Sequence, residues 1–486
     1  MSRSRSRTIL HTLTALLPLF TVACTLGPDY SAPTAAELHI PPTWHATLPH
    51  DGSVTELNNW WTLFDDPVLS SLIVEAQADN PTIDAALARL RQSRALVASS
   101  RAALLPALNG SGSFNRSNSN TSAVTSSDVN SETSLQSGEL NVTAGSLDAS
   151  WELDLFGKLR RAHQADAARA EASVASWHDA RVSVAADIAD AYVRLRECQA
   201  LLEVADANRR AREKSQQITL LKVRAGFVSP VESALSDASV AQSNDLLEQQ
   251  RSFCELDANE IVELSGLSRS QLDTRLRVGY ASIPVPREGA VQSVPAESIA
   301  QRPDVREKER ALAGANAEIG EAIAARLPSV SLAGSIGIDE YHASGQSLQL
   351  RPWSFGPSLT LPVFDGGSGK AAVEGARGRY DEALSQYKQK VRQAVREVED
   401  ALARIAVSQR RAQAAAQADE KYHRYFESVE RQYQAGSIDV LDLETARGQM
   451  IAGEQSNSGA QLERAQAWIA LYRAVGGGWQ QTPDNP

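Results

Sequence analysis

Three cysteines, eight histidines and two methionines stand in 486 residues, and the cysteines have the most informative spacing. Cys198 and Cys254 lie 28 residues before and 28 residues after Gly226. If Gly226 reverses a helix into an antiparallel hairpin, both thiols reach the same height. They could then oxidise to a disulfide, given an oxidising compartment, or stay as two buried free thiols; the spacing leaves both open. Other chemistries find no footing. The chain has no Gly-x-Ser-x-Gly elbow, no Gly-Lys-Ser/Thr phosphate loop and no His-Glu-x-x-His pair. The histidines are scattered without metal-ligand spacing, and Met1 and Met450 are too few for a methionine-lined copper path. Neither an enzyme activity nor a cofactor nor a metal site is expected.

The elements that would hold such a hairpin are announced at a change of period. Up to Phe156 the apolar residues alternate (Leu147, Ala149, Trp151, Leu153, Leu155), the two-residue period of a strand with one apolar face. From Gly157 to about Arg224 there is no proline, and Val184, Ile188, Ala191, Leu195, Cys198, Leu202 and Ala205 step four, three, four, three, four, three. That average of about 3.5 residues is a coiled-coil seam. The same event recurs. Trp353 to Phe364 alternates, Asp365-Gly366-Gly367 turns, and a second proline-free helix runs to about Gln434 along Leu384, Tyr387, Val391, Ala394, Val398, Ala401 and Ile405. Each helix would be roughly 100 Å long if unbroken, more than a compact domain accommodates.

The chain is therefore read as two repeats. Pro81 and Pro106 are 25 residues apart, as are Pro303 and Pro328; Phe156 to Gly226 is 70 residues and Phe364 to Gly436 is 72. Each repeat is helix, strand, loop, strand, long helix, turn and returning helix, with the Ser/Asn/Thr tract around Asn115 to Ser137 as a solvated loop. Asp66-Pro67 and Asn80-Pro81 cap and open two helices, to about Asp79 and to Leu105. The expected divisions are a signal peptide over 1–23, an extended segment over 24–66, repeat 1 over 67–267, a proline-bearing linker over 268–296, repeat 2 over 297–478 and a polar tail over 479–486.

Charge and hydropathy narrow the setting. The formal charge is −11, and without Arg3, Arg5 and Arg7 of the first 23 residues, 45 basic against 59 acidic residues leave −14, which argues against nucleic acid as a partner. The basic start and the apolar run from Ile9 through Ala23 read as a secretory signal. Thr21-Val22-Ala23-Cys24 resembles a lipobox, in which Cys24 would become the acylated first residue; ordinary cleavage nearby is the alternative. No other segment approaches 18 consecutive apolar residues, so no transmembrane helix is expected. Four strands cannot close a barrel, and lipid does not tolerate an open sheet edge, so several chains would have to share one.

In order along the chain, Cys24-Thr-Leu-Gly-Pro-Asp-Tyr30, Trp151-Glu-Leu-Asp-Leu-Phe-Gly157, Arg302-Pro-Asp-Val-Arg306, Leu361-Pro-Val-Phe-Asp-Gly-Gly367, two Ala-Gly turns and Gly476-Gly-Gly-Trp479 resemble the TolC-like outer-membrane factor family, in its lipoprotein (NodT-type or OprM-like) branch. The resemblance implies a mainly α fold with membrane β: a homotrimer whose chains each give four strands to a twelve-stranded outer-membrane β-barrel, continuous with a long periplasmic α-helical coiled-coil barrel. It implies a lipid-anchored exit duct of a tripartite efflux pump, working with a periplasmic membrane-fusion adaptor and an inner-membrane transporter of RND type, and passing drugs or other small toxic molecules. A duct for type I protein secretion is the alternative within the class. A non-porous, lipid-anchored coiled-coil stalk is the alternative outside it.

The resemblance also implies roles for residues. The tips Arg224, Ala225, Gly226 and Gln434, Ala435, Gly436 would dock the adaptor. Leu441 and Asp442, five and six residues after Gly436, would form a periplasmic gate. The family's further acidic and basic gate positions fall on Thr445 and Gly448, so Glu444 and Arg447 stand in their place, and Glu232 matches Asp442 in the first repeat. In a ring near a narrow tunnel end such carboxylates would repel one another and could bind cations.

Overall fold

The computed structural model describes residues 25–42, 44–45, 60–120, 137–286, 299–300, 302–343 and 346–477. The expected signal peptide, Cys24, residues 121–136 of the expected Ser/Asn/Thr loop, residues 287–296 of the expected linker and the tail lie outside these residues. In chain order the elements are α1 (Pro67–Asp79), α2 (Pro81–Ala102), β1 (Ala107–Asn120), β2 (Ser137–Leu153), α3 (Lys158–Arg224), α4 (Pro230–Ser265), α5 (Arg269–Leu276), α6 (Pro303–Ala324), β3 (Ser329–Ala343), β4 (Gln346–Leu350), β5 (Trp353–Thr360), α7 (Ser368–Gln434) and α8 (Val440–Ala474). Two compact units emerge, one of Met1–Ala32, Arg91–Glu171 and Arg310–Leu384, the other of Pro33–Leu90, Ala172–Glu309 and Ser385–Pro486.

The first unit holds one antiparallel sheet. β1 pairs β2, β2 pairs β3, and both β4 and β5 pair β3. Each pairing keeps one register from end to end, Ala107 to Ser150, Leu153 to Val330 and Ser329 to Thr360 being the partners at one end. β4 and β5 share a single register on β3, with Asp339 opposite Leu350 and Ile336 opposite Trp353. They are one strand, interrupted at Pro352, which has no N–H to give; Gly337 N–H still donates to the Pro352 carbonyl at 2.8 Å. The sequence reading thus holds at four strand paths. It placed the first loop too early, because Asn115–Asn120 continues β1 through ladder bonds to β2, and Leu361 to Phe364 lies beyond the end of β5.

Because register fixes which side chains share a face, the two faces can be read across the sheet. One carries Leu108 and Phe114, Leu147 and Trp151, Leu332, Ile336 and Ile338, and Trp353, Phe355 and Leu359; Trp353 is 76% and Phe355 73% exposed. The other carries serines bonded from strand to strand: Ser111 with Ser146 at 2.8 Å, Ser331 with Ser358 at 2.7 Å and Ser335 with Ser354 at 2.8 Å. Strands of 14, 17 and 15 residues exceed the roughly 10 needed to cross a hydrocarbon core. The helices that leave the sheet start on equivalent caps. Asp154 accepts from Leu159 and Arg160 N–H, and Asp365 from Gly367 and Gly369 N–H.

The second unit is helical. Its core gathers Trp60, Phe64, Leu69, Leu72 and Ile73 against Ile188, Tyr192 and Leu195 of α3, Ile261 of α4, Leu402 and Ile405 of α7, and Trp468, Leu471 and Tyr472 of α8. The predicted seams are the buried faces: Val184, Ile188, Ala191, Leu195 and Cys198 on α3, and Tyr387, Val391, Ala394, Val398, Ala401 and Ile405 on α7. Leu202, Ala205 and Leu384, at the seam ends, are half-buried. The stretch expected as a linker begins with α5, opened by a Ser268–Gln271 capping box and buried through Leu272 and Leu276. Among the described residues no helix is long and apolar enough to cross a membrane.

Candidate functional site

The two hairpin tips are built alike. α3 ends at Arg224 and α7 at Gln434, and the chain then turns through Gly226 at φ +77° and Gly436 at φ +75°, where side-chain-bearing residues are strained. Phe227 N–H donates to the Lys222 carbonyl and Ser437 N–H to the Gln432 carbonyl, at 2.9 and 3.0 Å, closing the same C-terminal motif twice. Ser229 caps α4 through Val231 N–H, and Asp439 caps α8 through Asp442 N–H at 3.0 Å. All six predicted tip residues, Arg224, Ala225, Gly226, Gln434, Ala435 and Gly436, are exposed. The first tip is the more apolar, with Phe227 81% exposed beside Leu221 and Val231. Lys222 of the first tip lies 4.3 Å from the Tyr433 ring centre of the second, a cation–π contact that ties the tips together.

The predicted gate residues divide into two groups. Leu441 and Asp442 are exposed in the first turn of α8, and Thr445 turns its hydroxyl back onto the Leu441 carbonyl at 2.8 Å. Glu232 sits half-buried in the first turn of α4. Glu444 is engaged instead: it pairs with Arg447, and its Oε2 lies 3.5 Å from Arg212 Nε of α3. Arg447 is buried and packs 5.6 Å from the Phe426 ring centre, and its Nη2 donates to Ser215 Oγ at 3.2 Å. Burial pulls its guanidinium below the usual arginine range, and Glu444 opposes that shift. Arg212, Ser215, Lys222 and Tyr433 were not identified from sequence, because no local spacing tells one hairpin which residues of the other it will meet.

Higher on the first hairpin, Cys198 and Cys254 are joined as a disulfide with Cα atoms 5.5 Å apart. Between α7 and α8, His423 Nε2 lies 2.9 Å from Glu454 Oε1 and 3.4 Å from Asp419 Oδ1, a crosslink that the scattered histidines of the sequence did not suggest. Among the described residues no group of three His, Cys, Asp or Glu is placed to hold a metal ion.

This arrangement of a two-faced sheet and paired helical hairpins belongs to a chain that known proteins resemble in sequence and in fold. The sequence model described as outer membrane efflux protein matches residues 72–266 and 294–477. Nodulation protein T of Rhizobium leguminosarum bv. trifolii is 30% identical over 96% of this chain and 97% of its own length. The toluene efflux pump outer membrane protein TtgC of Pseudomonas putida is 29% identical over 94% of this chain and 93% of its own. The solved outer-membrane channel OprN superposes with a TM-score of 0.79 at 29% identity, over 94% of this chain and all of its own. Family and fold are those of channel proteins and not of enzymes: the chain belongs to the outer membrane efflux protein family.

Proposed function

We propose that three copies of this chain pool their sheets into one twelve-stranded barrel in the outer membrane, while their helical hairpins assemble a periplasmic tunnel that ends at the tips. The duct works with a periplasmic adaptor, which docks on Arg224–Gly226 and Gln434–Gly436, and with an inner-membrane transporter of RND type. Cys24 carries the lipid anchor. Leu441, Asp442 and Glu232 narrow the periplasmic end, and Glu444 acts through the ion pairs that bind one hairpin to the other.

One observation carries this reading. The sheet has four strand paths in unbroken register and, over the half nearest the helices, one apolar face and one serine-lined face, and β1 and the β4–β5 strand are unpaired at its edges among the described residues. Such a sheet satisfies its backbone in lipid only by closing with other copies, and closure puts the serine face around water and the apolar face against hydrocarbon. The similarity to a protein named for toluene efflux favours small apolar molecules as cargo. Deleting the gene should raise cellular accumulation of an apolar dye and lower tolerance to solvents, and the parent chain should restore both. Unchanged accumulation would remove the drug-efflux assignment and leave the channel.

A further inference from the structure

The peptide that follows Cys24 is gripped by residues that the channel reading leaves unused. Leu26 N–H donates to the Phe156 carbonyl at 3.3 Å. Arg161, 4% exposed, directs its guanidinium at this peptide: Nε donates to the Leu26 carbonyl at 2.9 Å, and Nη2 to the Gly27 carbonyl at 3.2 Å and to Asp29 Oδ1 at 2.9 Å. Asn316 Nδ2 donates to the Pro28 carbonyl at 2.9 Å, and the Arg310 guanidinium lies 5.5 Å from the Tyr30 ring centre. A buried guanidinium that draws three acceptors from one short peptide is a built site, since losing the peptide would strand the charge.

The seat beneath the peptide is lined by glycine. Gly27 stands at φ +94°, and a Cβ there would overlap Gly320 Cα. A Cβ on Gly320 would lie 2.7 Å from the Leu26 carbonyl oxygen and 2.9 Å from Arg161 Nε, and one on Gly157 would lie 3.0 Å from Thr25 Cα. Backbone thus meets backbone. Gly320 lies inside α6, where glycine weakens a helix relative to alanine, so its presence fits a demand for close approach.

The walls come from both repeats. Phe156, Gly157 and Arg161 follow β2, and Asn316 and Gly320 precede β3, at the sheet end where Leu153 pairs with Val330. We propose that these residues form a binding site for the chain's own Thr25–Tyr30 segment, a seat that clasps the two repeats together and holds Thr25 beside the strand-to-helix junction. The proposal deepens the membrane-anchor reading of Cys24 and rests on it only for the lipid: the seat sets the level at which an acyl group on residue 24 meets the membrane.

Hydrogen exchange on the detergent-extracted full chain tests the seat. The peptide containing Leu26 should be protected in the parent and exchange about tenfold faster in Gly320→Ala, while β3 peptides stay protected. Gly320→Ala should also lower the melting temperature of the parent, yet leave unchanged or raise that of a chain lacking residues 25–30, where alanine in a helix has nothing to displace. The proposal is overturned by free-peptide exchange at Leu26 in the parent, by exchange that Gly320→Ala does not alter, or by an equal loss of melting temperature in both backgrounds. The mass of the N-terminal peptide reads the anchor separately: an unacylated chain whose Leu26 is still protected refutes the lipid and supports the seat.

Discussion

Arg447 Nη2 donates to Ser215 Oγ at 3.2 Å, and the two residues stand 11 positions after Gly436 and 11 before Gly226, so the bond joins the two hairpins at one level, about three turns from their tips. Glu444 brackets the same level by pairing with both Arg447 and Arg212. The hairpins that would border the tunnel end are therefore fastened to each other within one chain.

Removing that fastening should loosen the periplasmic end. Arg447→Ala leaves Glu444 with Arg212 alone and should cost about 1–3 kcal/mol of stability, read as a lower melting temperature. Single-channel conductance should rise. Asp442→Ala should raise conductance as well, with little loss of stability, because its side chain is exposed. Parent-like conductance in both variants would refute the gate assignment.

Asp179 gives the pH dependence a sign. Burial, and then the nearby Asp304, push its carboxyl up to about 6, so folding favours the protonated form. The stability it contributes is fully present below about pH 4 and is lost as pH rises through about 6. Asp179→Asn keeps the neutral shape, so it should melt higher than the parent at pH 8, by up to about 3 kcal/mol, with the difference gone near pH 4. A parent that is the more stable at pH 8 would mean that Lys390 and Arg302, which oppose the shift, dominate.

The two faces of β5 should respond differently to one substitution. Phe355→Arg puts a charge on the apolar face and should cost about 2–4 kcal/mol at mid-membrane depth, seen as loss of assembled protein from the outer membrane. Ser354→Arg, on the serine face, should leave assembly intact and lower the conductance. Equal tolerance at both positions would contradict a lipid-facing side.

The Cys198–Cys254 bridge spans a sequence separation of 56, for which chain entropy predicts about 4 kcal/mol. Mass spectrometry of unreduced, alkylated protein should find neither thiol modified, and Cys198→Ser with Cys254→Ser should melt lower. Two alkylated thiols would rule the bridge out.

Much of this was legible in the sequence because it is local. Arg224 and Gln434 end their helices where Gly226 and Gly436 can turn, Asp66 caps α1, and the seam from Val184 to Cys198 is a repeat read directly from side-chain type. What escaped was set by partners distant in sequence. Asn115–Asn120 has loop composition, but cross-strand bonding makes it strand. Pro352 lies between β4 and β5, whose shared register carries past one missing donor. Arg212 and Lys222 meet partners more than 200 residues away, and nothing around Gly27 announces that its backbone will lie against Gly320. The gate is legible only by position, since Thr445 and Gly448 replace the expected charges and Glu444 is already paired.

Four strands per chain should close one barrel among three chains. Single-channel recording of the detergent-extracted protein in a planar bilayer, after its oligomer has been sized, tests it most directly. The expected result is a trimer with small, discrete conductance steps. A monomer or dimer that never conducts would contradict it.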